Sequence, residues 1–597
     1  MSATYSGTYG VIGPPGTGKT TFLAAQVRKI VEAAGAAPRE RTPVLVSSLT
    51  KTAATEIGGR GLPLPEGSVG TLHSHAFRAL DRPEIATGEV VGSWNSRLPE
   101  FAFSDSGPKV SSKTDDLDGD VVDDVGGDSP GDEYRALYDL VRAKRIEREE
   151  WDTDPYLPVL GHDSILVRDF GRFVDEYEEW KTSANVFDFT DLISGAMGVP
   201  PPLDPEVFVV DEVQDLSALE WDLVRTWSEG KTLFAVGDPW QSLYEWRGAH
   251  PELFDAIPAE RTRTLSRSYR VPRRIVSTAL EWMSGRSNVR SKIEYSPRLG
   301  EDGVPVEGRI EFSPGWTPAN AAPVLDEVEK SIAAGKTAMI AATCSYMLIG
   351  VLAELRDRGI PFANPWRQRR GDWNPIATKG TSTLARFAAF LSPAADDRFW
   401  TWKELALWSG ILKSTGTFAR GGKGFFEAKA KDRAGDTVAT SIEISPYLVD
   451  GSLFETYARI KGRGVGPETV KIAREWFADR CEKSVGKSLV YAEKILSRGI
   501  EAAREKPKVY VGTVHSFKGA EADEVFLYTE LSNRASMSIR NPIPGRDAIG
   551  SVARVFYVGM TRAKERLVVC GSSNKVERTI FPVHAHIRDA ASRAGVC

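Results

Sequence analysis

The chain is poor in cysteine. It has only Cys344, Cys481, Cys570 and Cys597 among 597 residues, and no two of them are close in the sequence. This scatter is typical of a reducing compartment and excludes a disulfide scaffold, a zinc finger and a four-cysteine iron–sulfur cluster. No apolar run reaches the roughly 18 residues of a membrane-spanning helix. The first residues also lack a basic region followed by an apolar stretch, so we expect no secretory signal and a cytoplasmic protein.

A strong excess of positive charge is also missing, because the net charge at pH 7 is −5. Residues 104–134, however, hold nine Asp and one Glu against two Lys, which leaves the rest of the chain at +3. Binding of a polyanion depends on the local field, so a mildly basic body can still contain a basic groove. The acidic segment is rich in Asp, Gly and Ser and poor in aromatic residues, and we expect it to be a mobile loop.

Short continuous apolar runs alternate with helical patterns along the chain, and such runs are typical of strands buried on both faces of a parallel sheet. They occur at residues 7–13, 43–46, 207–210, 232–236, 338–342, 508–511, 525–528 and 566–569. Because they form two blocks, 1–268 and 269–597, the sequence predicts an α/β fold with two parallel-sheet cores. The length fits three to five domains at about 100–200 residues each.

Each block is interrupted by a helical stretch in which the strand pattern is absent. We therefore expect each sheet to carry an inserted, mainly helical subdomain. The predicted domains are a first core of residues 1–80 and 186–268 with 81–185 inserted, and a second core of 269–375 and 506–597 with 376–505 inserted.

Residues 13–20 read GPPGTGKT and match the phosphate-loop pattern G-x-x-x-x-G-K-[ST] between a predicted strand and a predicted helix. Glycines let successive backbone N–H groups cradle phosphates, and the helix that follows adds its positive end. In this pattern Lys19 reaches the β- and γ-phosphates and the Thr20 hydroxyl binds Mg²⁺. The predicted nucleotide contacts are Gly13, Pro14, Gly16, Thr17, Gly18, Lys19, Thr20 and Thr21.

An acidic pair, Asp211 and Glu212, directly follows the apolar run 207–210. A carboxylate at the end of a buried strand beside the phosphate-loop strand can hold Mg²⁺, which makes Asp211 a predicted metal ligand. Glu212 can take the proton from an attacking water. The pair therefore favours nucleotide hydrolysis over phosphoryl transfer to a small molecule.

Seven ordered segments resemble the motifs of superfamily 1 helicases of the UvrD/PcrA/Rep type. VFVVDEVQDLSALEWDLV and FAVGDPWQSLYEWRGAHPELF resemble motifs II and III, and the family pattern of motif III is close to VGDxxQSIYxWRGA. LSRSYRVPRRIV, VYVGTVHSFKGAEADEVFL and ARVFYVGMTRAKERLVV resemble motifs IV, V and VI. LTKTAATEI and GTLHSHAF resemble motifs Ia and Ib, and DFTDLI resembles a segment before motif II. The resemblance implies two RecA-like cores with inserted subdomains.

The resemblance also implies roles on the ATP side. Gln241 would sense the γ-phosphate, and Arg270 and Arg562 would be arginine fingers, since a permanently charged planar fork can follow charge on phosphoryl oxygens. Tyr269 would stack on adenine, and Glu521 would accept hydrogen bonds from the ribose hydroxyls. ATP and Mg²⁺ are thus implied. The family usually places a glutamine upstream of the phosphate loop, and this sequence has none there, so we expect less strict selection of adenine.

On the polynucleotide side, Trp246 resembles the motif III tryptophan that stacks on a base, an interaction of about 1–3 kcal/mol per base that tolerates any sequence. Hydroxyl and imidazole contacts would hold the backbone without reading sequence. Arg247 would tie motif III to the phosphates or to the ATP side. The implied nucleic-acid contacts are Thr50, Thr71, His73, Trp246, Arg247 and His515.

The expected function is ATP-driven movement along single-stranded DNA, 3′→5′ by resemblance, with unwinding of the duplex at single-strand/duplex junctions. We expect a monomer without membrane attachment. Three alternatives stay open. They are a translocase that strips proteins from DNA, an RNA helicase of the same superfamily, and a non-motor ATPase that regulates a protein partner. The last alternative leaves Trp246 and motifs Ia and Ib unexplained.

Overall fold

The computed structural model describes residues 7–34, 43–48, 57–59, 61–104, 109–110, 117–118, 129–151, 167–289, 293–313, 316, 320–367, 373–376, 382–432, 435–482, 485–542, 547–571 and 581–596. The chain divides into two compact units. The first comprises Met1–Ile310, Leu531–Arg566 and Val576–Cys597, and the second comprises Glu311–Glu530 and Leu567–Lys575. Two packing units do not test the predicted boundaries of two cores and two inserted subdomains, so those boundaries stay a prediction.

The first unit is built on a six-stranded parallel sheet. Its strands are β1 (Gly7–Ile12), β2 (Val44–Ser48), β3 (Val69–Thr71), β6 (Val207–Val210), β7 (Thr232–Gly237) and β8 (Thr262–Thr264), and a short antiparallel ribbon is formed by β4 (Lys109–Val110) and β5 (Leu117–Asp118). The order across the sheet is β3-β2-β6-β7-β1-β8, and every neighbouring pair is parallel. The predicted parallel sheet is confirmed. β7 lies between β1 and β6, so the expectation that these two strands are neighbours is wrong.

Helices cover both faces of this sheet, which explains why its central strands are continuously apolar. All five residues of β2 are buried, and separate apolar clusters lie on the two sides of the sheet. The helices of the first unit are Lys19–Ala34, Leu72–Ala79, Glu89–Arg97, Pro130–Lys144, Val167–Ala184, Phe189–Ala196, Ala218–Trp227, Arg273–Met283, Asn533–Arg540, Ala548–Met560 and Val583–Arg593. Single 3₁₀ turns lie at Pro99–Phe101, Arg148–Glu150, Val213–Asp215, Pro239–Gln241, Glu245–Arg247, Pro251–Ala256 and Ala259–Arg261.

An aromatic cluster lies among three of the helices between β3 and β6, namely Glu89–Arg97, Pro130–Lys144 and Val167–Ala184. Trp94 meets Tyr177 edge to face at 5.2 Å between ring centroids, and Tyr177 stacks on Phe173 at 5.6 Å. The last residues of the acidic segment form the start of one of these helices. The helix Pro130–Lys144 begins there with a capping box of Ser129 and Asp132. The expected loop therefore ends before residue 130, and most of its other residues lie outside the described part of the chain.

A buried ion cluster joins these helices to the helix Phe189–Ala196. Lys181 Nζ donates to Asp188 at 2.7 Å and to Asp191 at 2.6 Å, and Arg142 contacts the same two carboxylates. Burial raises the pKa of the Asp188 carboxyl, but Arg135, Lys181 and Arg142 together hold that pKa well below its ordinary value. The ionised aspartate therefore stabilises the fold above its ordinary pKa, and this stabilisation is lost on acidification.

We expect Lys181→Met to lower the free energy of unfolding by about 2–4 kcal/mol, because it leaves buried carboxylates short of a cation. Arg172→Met is the matched control on the same helix. Arg172 pairs with Glu100 at 2.8 Å, with both side chains about half exposed, and its loss should change the free energy of unfolding far less, because solvent screens an exposed pair. Urea unfolding followed by tryptophan fluorescence measures both effects. Equal losses in the two variants would contradict the assignment.

The second unit contains the other sheet. Its strands are β9 (Arg309–Ser313), β10 (Ala338–Ala342), β11 (Phe362–Ala363), β12 (Val509–Thr513), β13 (Ala522–Tyr528) and β14 (Ala563–Cys570), in the order β11-β12-β10-β13-β14-β9. β10 is parallel to β12 and β13, and β11 is parallel to β12. The chain passes between the units within β9 and within β14. The predicted pair of parallel-sheet α/β cores is thus confirmed.

The stretch between β11 and β12 is helical, as predicted. Its helices, with the two before β11, are Ala322–Ala333, Ile349–Arg358, Thr383–Phe390, Ser392–Asp396, Trp402–Ser409, Gly422–Lys431, Ser441–Ile444, Ser452–Ile460, Pro467–Phe477, Gly486–Leu496 and Glu501–Arg504. Short 3₁₀ turns lie at Ser345–Leu348, Ser445–Tyr447 and His515–Phe517. Within the described residues, no helix combines the length and apolar character needed to cross a membrane.

Candidate nucleotide site and polynucleotide contacts

The phosphate loop joins β1 to the helix Lys19–Ala34. It begins with a hydrogen bond from Gly13 N to the Gly237 carbonyl at 2.9 Å. Gly16 and Gly18 have φ of +74° and +77°, a conformation that glycine adopts without a steric penalty. Lys19 Nζ donates to the Gly13 carbonyl at 2.7 Å, which places the ammonium group over the loop. The loop thus has the concave shape and the cation expected of a phosphate cradle.

The remaining predicted contacts lie on the same turn. The buried Thr17 donates its hydroxyl to the Pro14 carbonyl at 2.8 Å, which stabilises the loop from within. Thr20 is half-buried and Thr21 is exposed in the first turn of the helix. A hydroxyl at the position of Thr20 and the Asp211 carboxylate are oxygen donors of the kind that Mg²⁺ prefers alongside phosphates. Their role as metal ligands stays a prediction.

Motif IV packs directly on the phosphate loop. Tyr269 N donates to the Gly16 carbonyl at 2.7 Å. A Cβ built on Gly16 would lie 2.6 Å from Arg270 Cβ, so only glycine lets Arg270 approach so closely. The Tyr269 ring is 72% exposed and lies 3.6 Å from a Cβ built on Gly18. An exposed aromatic face beside a phosphate loop suits stacking on a nucleotide base.

The acidic pair lies in a tight turn at the carboxyl end of β6. Asp211 is buried, and its N–H donates to the Ser47 carbonyl at 2.9 Å. Glu212 N donates to Asp211 Oδ1 at 3.0 Å. Glu212 itself has a φ of +58°, which is uncommon for a residue other than glycine. The turn thus presents two carboxylates in a fixed arrangement.

Gln214 positions this turn, and the motif reading above did not assign it a role. Its fully buried amide donates through Nε2 to Glu212 Oε2 and to Asp215 Oδ2, and its Oε1 accepts from Asp238 N at 3.0 Å. A Cβ built on Gly237 would lie 2.0 Å from Gln214 Oε1, so that glycine is also required. One side chain therefore ties the end of β6 to the end of β7.

Gln241 is hydrogen-bonded at both ends of its amide. Its Nε2 donates to Asp238 Oδ2 at 2.8 Å, and its Oε1 accepts from Arg562 Nη2 at 3.0 Å. Arg562 is 1% exposed, and its Nε donates to the Val558 carbonyl at 3.0 Å. Motif III and motif VI are thus linked directly within the first unit.

Arg562 also lies close enough to Arg270 for their charges to repel. Burial and, to a lesser extent, the nearby Arg270 together lower the pKa of the Arg562 guanidinium to about 9, while Glu212 opposes the shift. Two guanidinium groups beside a phosphate loop disfavour each other until an anion lies between them. The site therefore fits a polyphosphate better than a neutral ligand.

Asp238 is a second residue that motif reading did not assign. It is fully buried, and its Oδ2 also accepts from Tyr557 Oη at 3.4 Å. Burial raises the pKa of the Asp238 carboxyl to about 6, while Lys19 and the bond from Gln241 oppose this shift. The carboxyl is thus held where its protonation changes within a mildly acidic range.

We expect Asp238→Asn to change how stability depends on pH. The folded-state pKa of about 6 exceeds the ordinary value of 3.8, so the folded chain binds this proton more tightly than the unfolded chain. Its contribution is complete below pH 4 and is lost as the pH rises to 6, a change of about 3 kcal/mol. Urea unfolding of both proteins across this range should give a difference curve that falls with pH. Parallel curves would contradict the assignment.

Three of the predicted polynucleotide contacts lie together. Trp246 and Arg247 occupy the 3₁₀ turn Glu245–Arg247, the second such turn after β7. Half-buried Trp246 meets Tyr244 edge to face there, at 6.3 Å between ring centroids. His73 lies close enough to Arg247 for that charge to lower its pKa, although burial is the larger cause. Thr71 caps the helix that carries His73, since its Oγ1 accepts from Ser74 N at 3.1 Å. Arg247 is therefore near His73, and Trp246 is its neighbour in the same turn.

The other predicted contacts cannot be added to this group. Thr50 lies outside the described residues. His515 occupies the 3₁₀ turn after β12, and Glu521 directly precedes β13; both are half-buried and belong to the second unit. Their roles stay predictions.

Two models of one helicase family match this chain. The family model described as "UvrD/REP helicase N-terminal domain" matches residues 1–260, and the one described as "UvrD-like helicase C-terminal domain" matches residues 479–574. The chain belongs to the UvrD-type superfamily 1 helicases. The resemblance seen in its motifs is therefore confirmed.

Individual UvrD-type relatives are similar over part of the chain. The identity is 26% over 303 residues to the ATP-dependent DNA helicase SRS2 of Saccharomyces cerevisiae, 45% of this chain and 25% of the relative. It is 27% over 310 residues to the ATP-dependent DNA helicase UvrD1 of Mycobacterium tuberculosis, 47% of this chain and 38% of the relative. For the ATP-dependent DNA helicase Rep of Buchnera aphidicola it is 29% over 145 residues, 21% of each chain. The chain thus spans less than half the length of these relatives.

Proposed function

We propose that the chain is an ATP-dependent motor that moves 3′→5′ along single-stranded DNA and unwinds the duplex ahead of it. The observation that supports this most is the position of Arg270 and Arg562. The two arginines are 292 positions apart in the sequence, yet Arg270 packs against Gly16 of the phosphate loop and Arg562 lies near Arg270, Glu212 and Gln241. The names of the relatives, all ATP-dependent DNA helicases, support the DNA substrate.

Each group at the site has a defined task in hydrolysis. The loop Gly13–Thr21 would hold the triphosphate, with Lys19 on its β- and γ-oxygens. When bound, Mg²⁺ would be held by Thr20 and Asp211 and would neutralise phosphate charge. Glu212 would take the proton from the attacking water. Arg270 and Arg562 would stabilise the charge that develops on the transferred phosphoryl group, a term that is usually among the largest in catalysis.

The link between Gln241 and Arg562 explains how hydrolysis could drive movement. A γ-phosphate competes with Gln241 for the Arg562 guanidinium, because a charge-assisted bond to a phosphate is stronger than one to a neutral amide. Binding and hydrolysis of ATP therefore change the contact between motif III and motif VI. Trp246 follows Gln241 by five residues, so the change occurs next to the proposed base-stacking surface.

We expect Arg562→Ala to lower DNA-stimulated ATP turnover at least about 100-fold, because it removes a charge that acts on the transition state. Its affinity for an oligo-dT strand should stay within about twofold. Arg593→Ala is the matched control in the first unit, since Arg593 only pairs with Glu281 at the surface. Steady-state hydrolysis with and without oligo-dT measures the effect. Equal turnover in the two variants would exclude Arg562 from the reaction.

Trp246→Ala should leave ATP hydrolysis within a few-fold of the parent but lower unwinding at least about tenfold, because loss of a base-stacking face costs about 1–3 kcal/mol. Trp246→Phe keeps an aromatic face and should retain most unwinding. The assay uses a duplex with a 3′ single-stranded tail, and a 5′-tailed duplex and an RNA duplex serve as controls. Unwinding of the 5′-tailed or RNA substrate alone would overturn the proposed polarity or substrate. Displacement of a bound protein without unwinding would indicate the stripping translocase.

A further inference from the structure

The helix Ala548–Met560 contacts motif III at two separate places. At its carboxyl end, Tyr557 and Arg562 bind Asp238 and Gln241, as described above. Near its amino end, Arg554 Nη2 and Ser551 Oγ both donate to the carboxylate of Glu245. The same helix therefore contacts motif III on the ATP side and again one residue before Trp246.

The second contact is a buried ion pair. Arg554 has no exposed surface, and the Glu245 side chain is 23% exposed. Arg554 Nη1 also binds Asp547 Oδ2 at 3.3 Å, and Asp547 Oδ1 accepts from Gly550 N at 2.9 Å at the start of the helix. The guanidinium is thus held between two carboxylates. Separating such a pair leaves uncompensated buried charge, so the two elements it joins resist separation.

Glu245 is not required by the family pattern. In VGDxxQSIYxWRGA the residue before the tryptophan is open, and here it is Glu245. Its turn also includes Trp246 and Arg247, and it follows the buried Tyr244, whose ring contacts Trp246. The ion pair therefore lies directly beside the proposed stacking surface, at a position that the pattern leaves open.

The helix can carry a displacement from one contact to the other. Arg554 lies six residues before the helix end at Met560, which is about 9 Å at 1.5 Å per residue. Arg562 follows the helix by two residues, and its backbone N–H and its Nε donate to the carbonyls of Gly559 and Val558 in the last turn. A packed helix moves as a body, because its backbone bonds resist local change. A shift of Arg562 toward a γ-phosphate would therefore move Arg554, and with it the turn that carries Trp246.

We propose that Glu245 and Arg554 are positioning residues that couple the ATP site to the polynucleotide site. The pair would hold the Trp246 turn to the helix Ala548–Met560, whose last turn binds Arg562, so that ATP changes the grip on the strand and the strand changes the affinity for ATP. This reciprocity follows from linkage. The proposal rests on the proposed function, since it presumes that both ligands bind.

The test measures coupling instead of activity. The affinity of the full chain for fluorescent oligo-dT is determined by anisotropy, with and without a non-hydrolysable ATP analogue and Mg²⁺. For the parent we expect the analogue to change the dissociation constant about 5-fold or more, within the usual range of allosteric coupling. In Glu245→Gln this factor should fall below about twofold, while the analogue-free affinity stays within about threefold.

Three further variants make the result specific. Arg554→Met should lose coupling to the same extent, and the double variant Glu245→Gln/Arg554→Met should be no worse than either single, because the two residues act as one unit. Glu307→Gln is the matched control. It removes an exposed pair with Arg273, 2.7 Å in length, from the same unit, and it should keep the parent's factor.

A Glu245→Gln protein that unfolds cooperatively and keeps the parent's factor overturns the proposal. If that variant does not fold, Ser551→Ala decides, because it leaves both charges paired and removes one donor to Glu245. A factor reduced about twofold supports the pair, and an unchanged factor refutes it. A parent that binds no oligo-dT, or whose hydrolysis ignores it, instead refutes the proposed function, and the two failures are thereby distinguished.

Discussion

The hydrogen-bonded chain from Asp238 through Gln241 to Arg562 is the interaction on which the nucleotide site depends. It is buried along its whole length, so each polar atom left unpaired would carry a desolvation cost of about 1–3 kcal/mol. The chain also fixes the Gln241 amide, since its nitrogen faces a carboxylate and its oxygen faces a guanidinium. The strand end of β7 and the helix of motif VI are therefore kept in register around the phosphate loop.

Electrostatic repulsion between two arginine side chains makes this site favour an anionic ligand. Arg270 and Arg562 lie near each other, and the burial of Arg562 leaves less solvent to screen the two charges. A triphosphate would relieve that repulsion and would replace a neutral amide as the partner of Arg562. The same exchange would alter the position of the motif VI helix, which is bonded to motif III at a second point through Glu245. In the proposed mechanism, hydrolysis at the loop and base stacking on Trp246 are thus connected within one compact unit.

Much of this could be predicted from the sequence, for identifiable reasons. The central strands are continuous apolar runs, so both sheets could be predicted from the sequence. The phosphate loop and the arginine motifs have fixed local patterns, so the candidate site residues could be predicted as well. The edge strands β3, β8 and β11 were not, because VGT, TRT and FA are too short to show a periodicity. The position of β7 between β1 and β6 was also missed, since periodicity reveals strands but not their order in a sheet.

The missed site residues depend on contacts that are remote in sequence. Gln214 and Asp238 act through bonds across neighbouring strand ends, and Glu245 meets Arg554 more than 300 positions away. The capping box at Ser129 and Asp132 was visible in the sequence but lay inside a segment whose composition resembles a loop. Local patterns therefore predicted the candidate nucleotide contacts, whereas the residues that position them became apparent only in the fold.

The proposed mechanism requires Arg562 to act on the nucleotide itself. A crystal structure of the chain with Mg²⁺ and a non-hydrolysable ATP analogue tests this directly. The prediction is that the Arg562 guanidinium leaves the Gln241 oxygen and lies within about 3 Å of a γ-phosphate oxygen, with Arg270 on the same group. A bound analogue that leaves Arg562 on Gln241, with neither arginine touching the phosphates, would contradict it.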